Sequence, residues 1–118
     1  MTVNPKMEAT IHASILREMN EKNQIEGCLI DGPFALDNAV SKEAAKHKGI
    51  NSKVAGDADI LVVPDLNSGN ILYKALCFMG GAVSAAIVTG AKIPVVLTSR
   101  ADSDRSKYLS IALAAALS

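Results

Sequence analysis

The stretch Ile60-Leu61-Val62-Val63-Pro64-Asp65-Leu66-Asn67-Ser68-Gly69-Asn70 decides how this sequence is read. Four aliphatic residues without polar alternation mark a strand covered on both faces, the pattern of a parallel sheet between helices. Pro64 stops that strand, and the polar run containing Gly69 reads as a loop. A helix is expected from about 70 to 79, broken by Gly80-Gly81. Strand, polar loop and helix N-terminus in that order form the open end of an α/β unit, where such folds bind ligands.

Toward the C-terminus, two more strands are expected at 82–89 and 93–98. Gly90-Ala91-Lys92 between them is too short for a parallel crossover, so they should form an antiparallel hairpin. Asp102-Ser103-Asp104 opens a last, alanine-rich helix running to about 117. Toward the N-terminus, Asn4-Pro5 reads as an N-cap followed by proline at the first helical position. Met7, Ile11, Ile15 and Met19, widened by Leu16, then make an apolar stripe. Residues 25–30 read as a short strand stopped by Asp31-Gly32-Pro33. A helix with small apolar residues (Ala35, Ala39, Ala44, Ala45) should occupy about 35–48, with Gly49 after its end.

The order α-β-α-β-α-β-β-α predicts a single α/β domain over 1–118, a three-layer α/β/α arrangement around a mostly parallel mixed sheet. Four short strands are few for a sheet with two covered faces, and the chain opens on a helix. Both features predict that an N-terminal part is absent or that a partner subunit completes the structure. The stripe of α-helical spacing near the N-terminus and the last helix, with Tyr108, Ile111, Leu113 and Leu117, need a partner surface, which points to a homodimer.

Composition excludes several function classes. The 118 residues are 49% hydrophobic and 20% charged, so the chain is neither disordered nor low-complexity. Twelve basic residues balance twelve acidic ones and aromatics are 3%, which leaves neither a basic footprint nor a stacking platform for nucleic acid. Cys28 and Cys77 sit in apolar stretches as small hydrophobes and give no disulfide framework or zinc site. Lys6 and Glu8 interrupt any signal-peptide core. The 17 uncharged residues between Lys74 and Lys92 contain Gly80, Gly81 and Gly90, so they read as helix, turn and strand rather than as a membrane span. A soluble cytoplasmic protein is expected.

No nucleotide-binding glycine motif, nucleophile elbow or metalloprotease motif is present, and His12 and His47 fit ordinary helix positions. Two loops at the ends of strands remain. One carries Asn67, Ser68, Gly69 and Asn70. The other runs Thr98-Ser99-Arg100-Ala101-Asp102-Ser103-Asp104-Arg105. Each feeds a helix N-terminus, where free N–H groups and the helix dipole favour an anion. Ser99 adds a hydroxyl and Arg100 a guanidinium fork suited to phosphate. The alternative is structural: Asp102 or Ser103 caps the helix and Arg100 pairs with Asp104.

Longer blocks carry a resemblance. They are Val3-Asn4-Pro5-Lys6-Met7, Asp31-Gly32-Pro33-Phe34-Ala35-Leu36-Asp37-Asn38-Ala39, Glu43 to Ile50, Val54 to Asp59, Gly69-Asn70-Ile71-Leu72-Tyr73-Lys74 and Gly90 to Asp102. Together they resemble the phosphate acetyl/butyryltransferase family, and within it the phosphate butyryltransferases most closely, in the family's order from residue 3 to the end. The resemblance implies the reversible reaction acyl-CoA + phosphate ⇌ acyl phosphate + CoA, with coenzyme A as substrate and no cofactor or metal. Family members are more than twice as long. They pair two α/β domains of the isocitrate/isopropylmalate dehydrogenase type around a cleft and dimerise largely through the C-terminal half. This chain resembles that C-terminal part, without the N-terminal domain.

The resemblance places Ser99 as a transition-state stabiliser and Arg100 as the ligand of phosphate or acyl phosphate. It also implies a carboxylate base for the CoA thiol. Ser106 stands at the offset of the aspartate that serves in acetyl-specific members, leaving Asp102 and Asp104 as the carboxylates of this loop. Asn67, Ser68, Gly69, Asn70, Gly90, Lys92 and Arg100 make the expected substrate-binding set. Where acetyl-specific members carry an arginine on the preceding helix, this sequence has Cys77 or Phe78. A reading from another class is a phosphate- or CoA-binding module of the same fold without turnover. A dehydrogenase-like half-domain finds no support, since nothing resembles a nicotinamide site.

Overall fold

A computed structural model describes residues 2–117. The chain divides into two compact units, Met1–Leu66 and Asn67–Ser118.

In the first unit, helix α1 spans Glu8–Glu21. The cap expected at Asn4 is displaced to Met7, because Asn4-Pro5-Lys6-Met7 closes as a turn with the Met7 amide donating to the Asn4 carbonyl at 2.8 Å. Asn followed by Pro suits the first two positions of such a turn as well as a helix start. Thr10, only 1% exposed, ties the turn to the helix: its hydroxyl accepts from the Asn4 amide and donates to the Met7 carbonyl, each at 2.8 Å. The apolar stripe is only partly covered, with Met7 46% and Ile15 47% exposed.

The helix expected over 35–48 is two helices, α2 (Leu36–Val40) and α3 (Lys42–His47). Ser41 takes extended dihedrals, and its hydroxyl accepts from the Ala44 amide, so it caps α3 and interrupts the run. Asn38 and Ala39, both buried, hold the following loop through their carbonyls, which accept from the amides of Gly56 and Ala58. Gly56, at φ +80°, lies so close to Lys42 that a Cβ would stand 2.5 Å from the Lys42 Cα.

The strands expected at 25–30 and 60–63 are not formed among the described residues. A strand exists only through ladder bonds to a neighbour, and neither segment has one. At 25–30 the Asn20 side chain takes the backbone groups instead: its amide donates to the carbonyls of Ile25 and Cys28, and its oxygen accepts from the Ile30 amide. From Ile60 to Val63 the exposures are 80, 39, 78 and 37%. That alternation is the period of an extended segment half-covered on one side.

In the second unit, α4 spans Leu66–Lys74 and continues into a π-helical turn, Ala75–Met79, closed by the Gly80 amide donating to the Ala75 carbonyl. The helix starts earlier than the expected residue 70, so Asn67, Ser68, Gly69 and Asn70 lie in its first turns and not in a loop. The hairpin expected around Gly90-Ala91-Lys92 is reduced to one antiparallel bridge between Val88 and Val95, where the Val88 amide donates at 2.9 Å. Gly90, at φ +89°, makes the reversal. A mostly parallel sheet is thus not formed among the described residues.

Helix α5, Asp104–Ala116, starts where expected. Ser103 is the cap: its hydroxyl accepts from the Ser106 amide at 3.1 Å. The buried face of α5 is a row of small residues four apart, Ser106, Ser110 and Ala114. Small side chains let the 82–88 segment lie close, and Ser110 binds it directly by accepting the Ala86 amide at 2.9 Å. Tyr108 (71%) and Ile111 (62%) face outward.

Candidate functional site

The second unit gathers hydroxyls and one carboxylate around a cleft of about 160 Å³, lined by Tyr73, Cys77, Phe78, Ala82, Ser84, Ala101, Asp102, Ser103 and Ser106. Three segments build it. Helix α4 presents Tyr73 near its C-terminal end, the 82–88 segment presents Ser84, and the turn before α5 presents Asp102 and Ser103.

Asp102 is the centre of the arrangement. The Tyr73 hydroxyl donates to its Oδ1 at 2.6 Å, and the Ser99 amide donates to its Oδ2 at 2.7 Å. The Asp102 amide in turn donates to the Ser99 carbonyl at 3.1 Å. Side chain and backbone therefore both close the four-residue turn Ser99-Arg100-Ala101-Asp102. Behind it, Ser84 lies 3.3 Å from the Tyr73 hydroxyl and donates to Ser106 Oγ at 3.4 Å. Ser103 donates to Ser106 as well, at 3.1 Å.

The charges follow from these contacts. The Tyr73 hydroxyl, and then the Ser99 amide, hold the Asp102 carboxyl below the usual carboxylate range. The same carboxylate pushes the Tyr73 phenol up. Lys74 places its ammonium 4.7 Å from the Tyr73 ring centre and 5.4 Å from that of Phe78, within cation–π range.

The residues proposed from sequence separate into three groups. Ser99, Arg100, Asp102 and Asp104 come together around the turn and the first turn of α5. Arg100 is exposed and makes no ion pair among the described residues; the alternative Arg100–Asp104 pair does not form, because Asp104 pairs with Lys107 at 3.4 Å. Ser103, not Asp102, is the cap. Asn67, Ser68, Gly69 and Asn70 sit on α4, outside the cleft lining. Gly90 and Lys92 line a second, mostly apolar pocket of about 400 Å³ with Ile87, Val88, Ile93, Pro94, Val95, Ala114 and Leu117.

Sequence reasoning missed Tyr73 and Ser84. Tyr73 was visible as one of four aromatic residues, inside a conspicuous Gly-Asn block, but its partner is 29 positions away. Ser106, at the offset where a carboxylate base was sought, supplies a buried hydroxyl to the cleft wall. Among the described residues there is no cluster of three or more His, Cys, Asp or Glu that could hold a metal, and no helix long and apolar enough to cross a membrane.

The turn Ser99-Arg100-Ala101-Asp102 presents a serine and an arginine with no ion pair among the described residues just before the N-terminus of α5, beside a hydroxyl-lined cleft. The chain belongs to the family described as Phosphate acetyl/butaryl transferase, whose profile residues 2–115 match. It is 63% identical over 113 residues to a phosphate acetyltransferase of Thermotoga maritima, covering 96% of this chain and 38% of that protein. A probable phosphate butyryltransferase of Bacillus subtilis is 59% identical over the same shares. The crystal structure of a branched-chain phosphotransacylase from Enterococcus faecalis superposes with a TM-score of 0.84 at 42% identity, over 97% of this chain and 41% of the other. The chain thus has the fold of the matching part of a phosphotransacylase and spans about 38% of the length of those curated relatives.

Proposed function

We propose that this chain carries the phosphate-binding turn of a phosphate acyltransferase catalysing acyl-CoA + phosphate ⇌ acyl phosphate + CoA. The observation that carries the reading is the braced Ser99-Arg100 turn, whose guanidinium is exposed and unpaired at the entry to α5. Starting from acyl phosphate and CoA, the CoA thiol gives up its proton to a carboxylate base and the thiolate sulfur attacks the acyl carbon. The C–S bond forms, the acyl C–O bond to phosphorus breaks, and phosphate leaves with the electron pair. Negative charge grows first on the carbonyl oxygen and then on phosphate. Arg100 binds the phosphate oxygens bidentately, and the Ser99 hydroxyl donates to the developing oxyanion.

Of the two carboxylates, Asp104 suits the base better. It is fully exposed and, among the described residues, pairs with Lys107, whereas both Asp102 oxygens already accept hydrogen bonds. Asn67, Ser68, Gly69 and Asn70, with Gly90 and Lys92, are assigned to substrate contacts outside the turn. Cys77 and Phe78 give the cleft an apolar wall, which suits an acyl chain longer than acetyl. A three-layer arrangement around a mostly parallel, dehydrogenase-like sheet is the fold assigned to the complete catalytic domain. A homodimer in the cytoplasm, needing neither metal nor cofactor, completes the assignment.

The test is thiol release from butyryl-CoA in the presence of phosphate. Arg100→Ala should lower turnover by about 10²–10³-fold, the usual loss when one oxyanion donor is removed. Unchanged kinetics in that variant would sink the assignment. Phosphate or CoA binding without turnover by the wild type would support the binding-module reading instead.

A further inference from the structure

We propose that Tyr73 is a positioning residue for phosphate binding, bracing the Ser99-Arg100 turn through the Asp102 carboxylate. The proposal rests on the assignment of that turn as the phosphate site. Its geometry is a relay of two short bonds. The Tyr73 hydroxyl fixes Oδ1 of Asp102 at 2.6 Å, and Oδ2 of the same carboxylate fixes the Ser99 amide at 2.7 Å. A carboxylate held at both oxygens cannot rotate without breaking one of them, so the tyrosine governs the direction of the Ser99 N–H bond. Ser99 and Arg100 are adjacent on that turn, and the Ser99 hydroxyl also accepts the Ala101 amide at 3.3 Å. Holding that peptide plane therefore fixes the backbone from which the serine and arginine side chains project. A turn held in its binding conformation loses less freedom when it takes up an anion.

Tyr73 itself is well anchored. It lies on α4 two residues before the π-helical turn, and the Lys74 ammonium stands 4.7 Å from its ring centre. The carboxylate's charge strengthens both bonds of the relay. Tyr73 touches none of the reacting groups and acts only through Asp102.

Amide hydrogen exchange by NMR and titration with inorganic phosphate test this on the full 118-residue chain. Tyr73→Phe keeps the ring and removes the hydroxyl. It should speed exchange of the Ser99 amide about tenfold, the worth of a charge-assisted hydrogen bond, and weaken phosphate binding several-fold. Exchange at Ala86 and Ser106, which other residues hold, should stay at the wild-type rate. Asp102→Asn should reproduce both effects, and combining it with Tyr73→Phe should add little. Ser84→Ala, which removes the 3.3 Å neighbour of the Tyr73 hydroxyl and the 3.4 Å bond to Ser106 Oγ, should leave Ser99 exchange unchanged.

Wild-type Ser99 exchange or wild-type phosphate affinity in Tyr73→Phe would overturn the proposal. Equal acceleration at Ala86 and Ser106 would also overturn it, because it would mean general loosening. A wild type that binds phosphate but transfers no acyl group would refute the acyltransferase reading alone and leave these measurements to decide the role of Tyr73.

Discussion

Ser110→Ala tests how the 82–88 segment is held to α5. Ser110 is 2% exposed and makes two bonds: its Oγ accepts the Ala86 amide at 2.9 Å and donates to the Ser106 carbonyl at 2.8 Å. Removing the hydroxyl strands the Ala86 N–H at the helix surface, at a cost of about 1–2 kcal/mol. The Ser106 carbonyl loses only a secondary partner. Alanine regains roughly 0.5 kcal/mol through its better helix propensity. The net expectation is a loss of about 1 kcal/mol, or a fall in Tm of about 4 °C. Urea denaturation followed by circular dichroism reads the first number, and exchange of the Ala86 amide should accelerate in parallel. A variant as stable as the wild type, with Ala86 exchange unchanged, would refute the claim that this serine is what pins the segment.

Gly56→Ala should be more costly, because a left-handed φ of +80° coincides with a Cβ position 2.5 Å from the Lys42 backbone. A loss of at least about 2 kcal/mol is expected in the same denaturation assay. Asp102 has a folded pKa below its unfolded value of about 3.9, because Tyr73 and the Ser99 amide favour the carboxylate. Its stabilisation is therefore fully present above about pH 4 and is lost as pH falls through the lowered value. The deficit of Asp102→Asn relative to wild type, measured by thermal melts, should be widest near pH 7 and narrow toward pH 3. Tyr108, Ile111 and Leu117, exposed by 71, 62 and 66%, each contribute roughly 1.5–3 kcal/mol when buried against a second copy. Light scattering at micromolar concentration should give twice 12.3 kDa, and Ile111→Glu should shift it toward the monomer; a wild type that stays monomeric on concentration would defeat the dimer.

Legibility from sequence followed the range of the interactions. The last helix was readable because its cap is local: Ser103 and Ser106 are three positions apart. The reversal at Gly90 was readable for the same reason, and one bridge confirms it. The break at Ser41 was not, since Ser41 sits among good helix formers and only its extended backbone reveals the second cap. Asn67 to Asn70 look like a loop by composition, yet helical hydrogen bonding outweighs the weak propensity of Gly69 and the two asparagines. The expected strands failed for a different reason. The apolar runs have strand composition, but a ladder needs a second chain segment beside each one, and composition says nothing about that neighbour. The turn proposed to bind an anion is legible through Ser99 and Arg100, whose chemistry is visible residue by residue. Its brace was missed because Tyr73 and Asp102 meet only in three dimensions.

Calorimetric titration of inorganic phosphate into the wild-type chain and into Arg100→Ala tests the central claim most directly. A phosphate site at the Ser99-Arg100 turn predicts saturable binding by the wild type and a Kd at least about tenfold weaker in the variant, since a charge-assisted bidentate contact is lost. Equal phosphate affinity in the two proteins would contradict it.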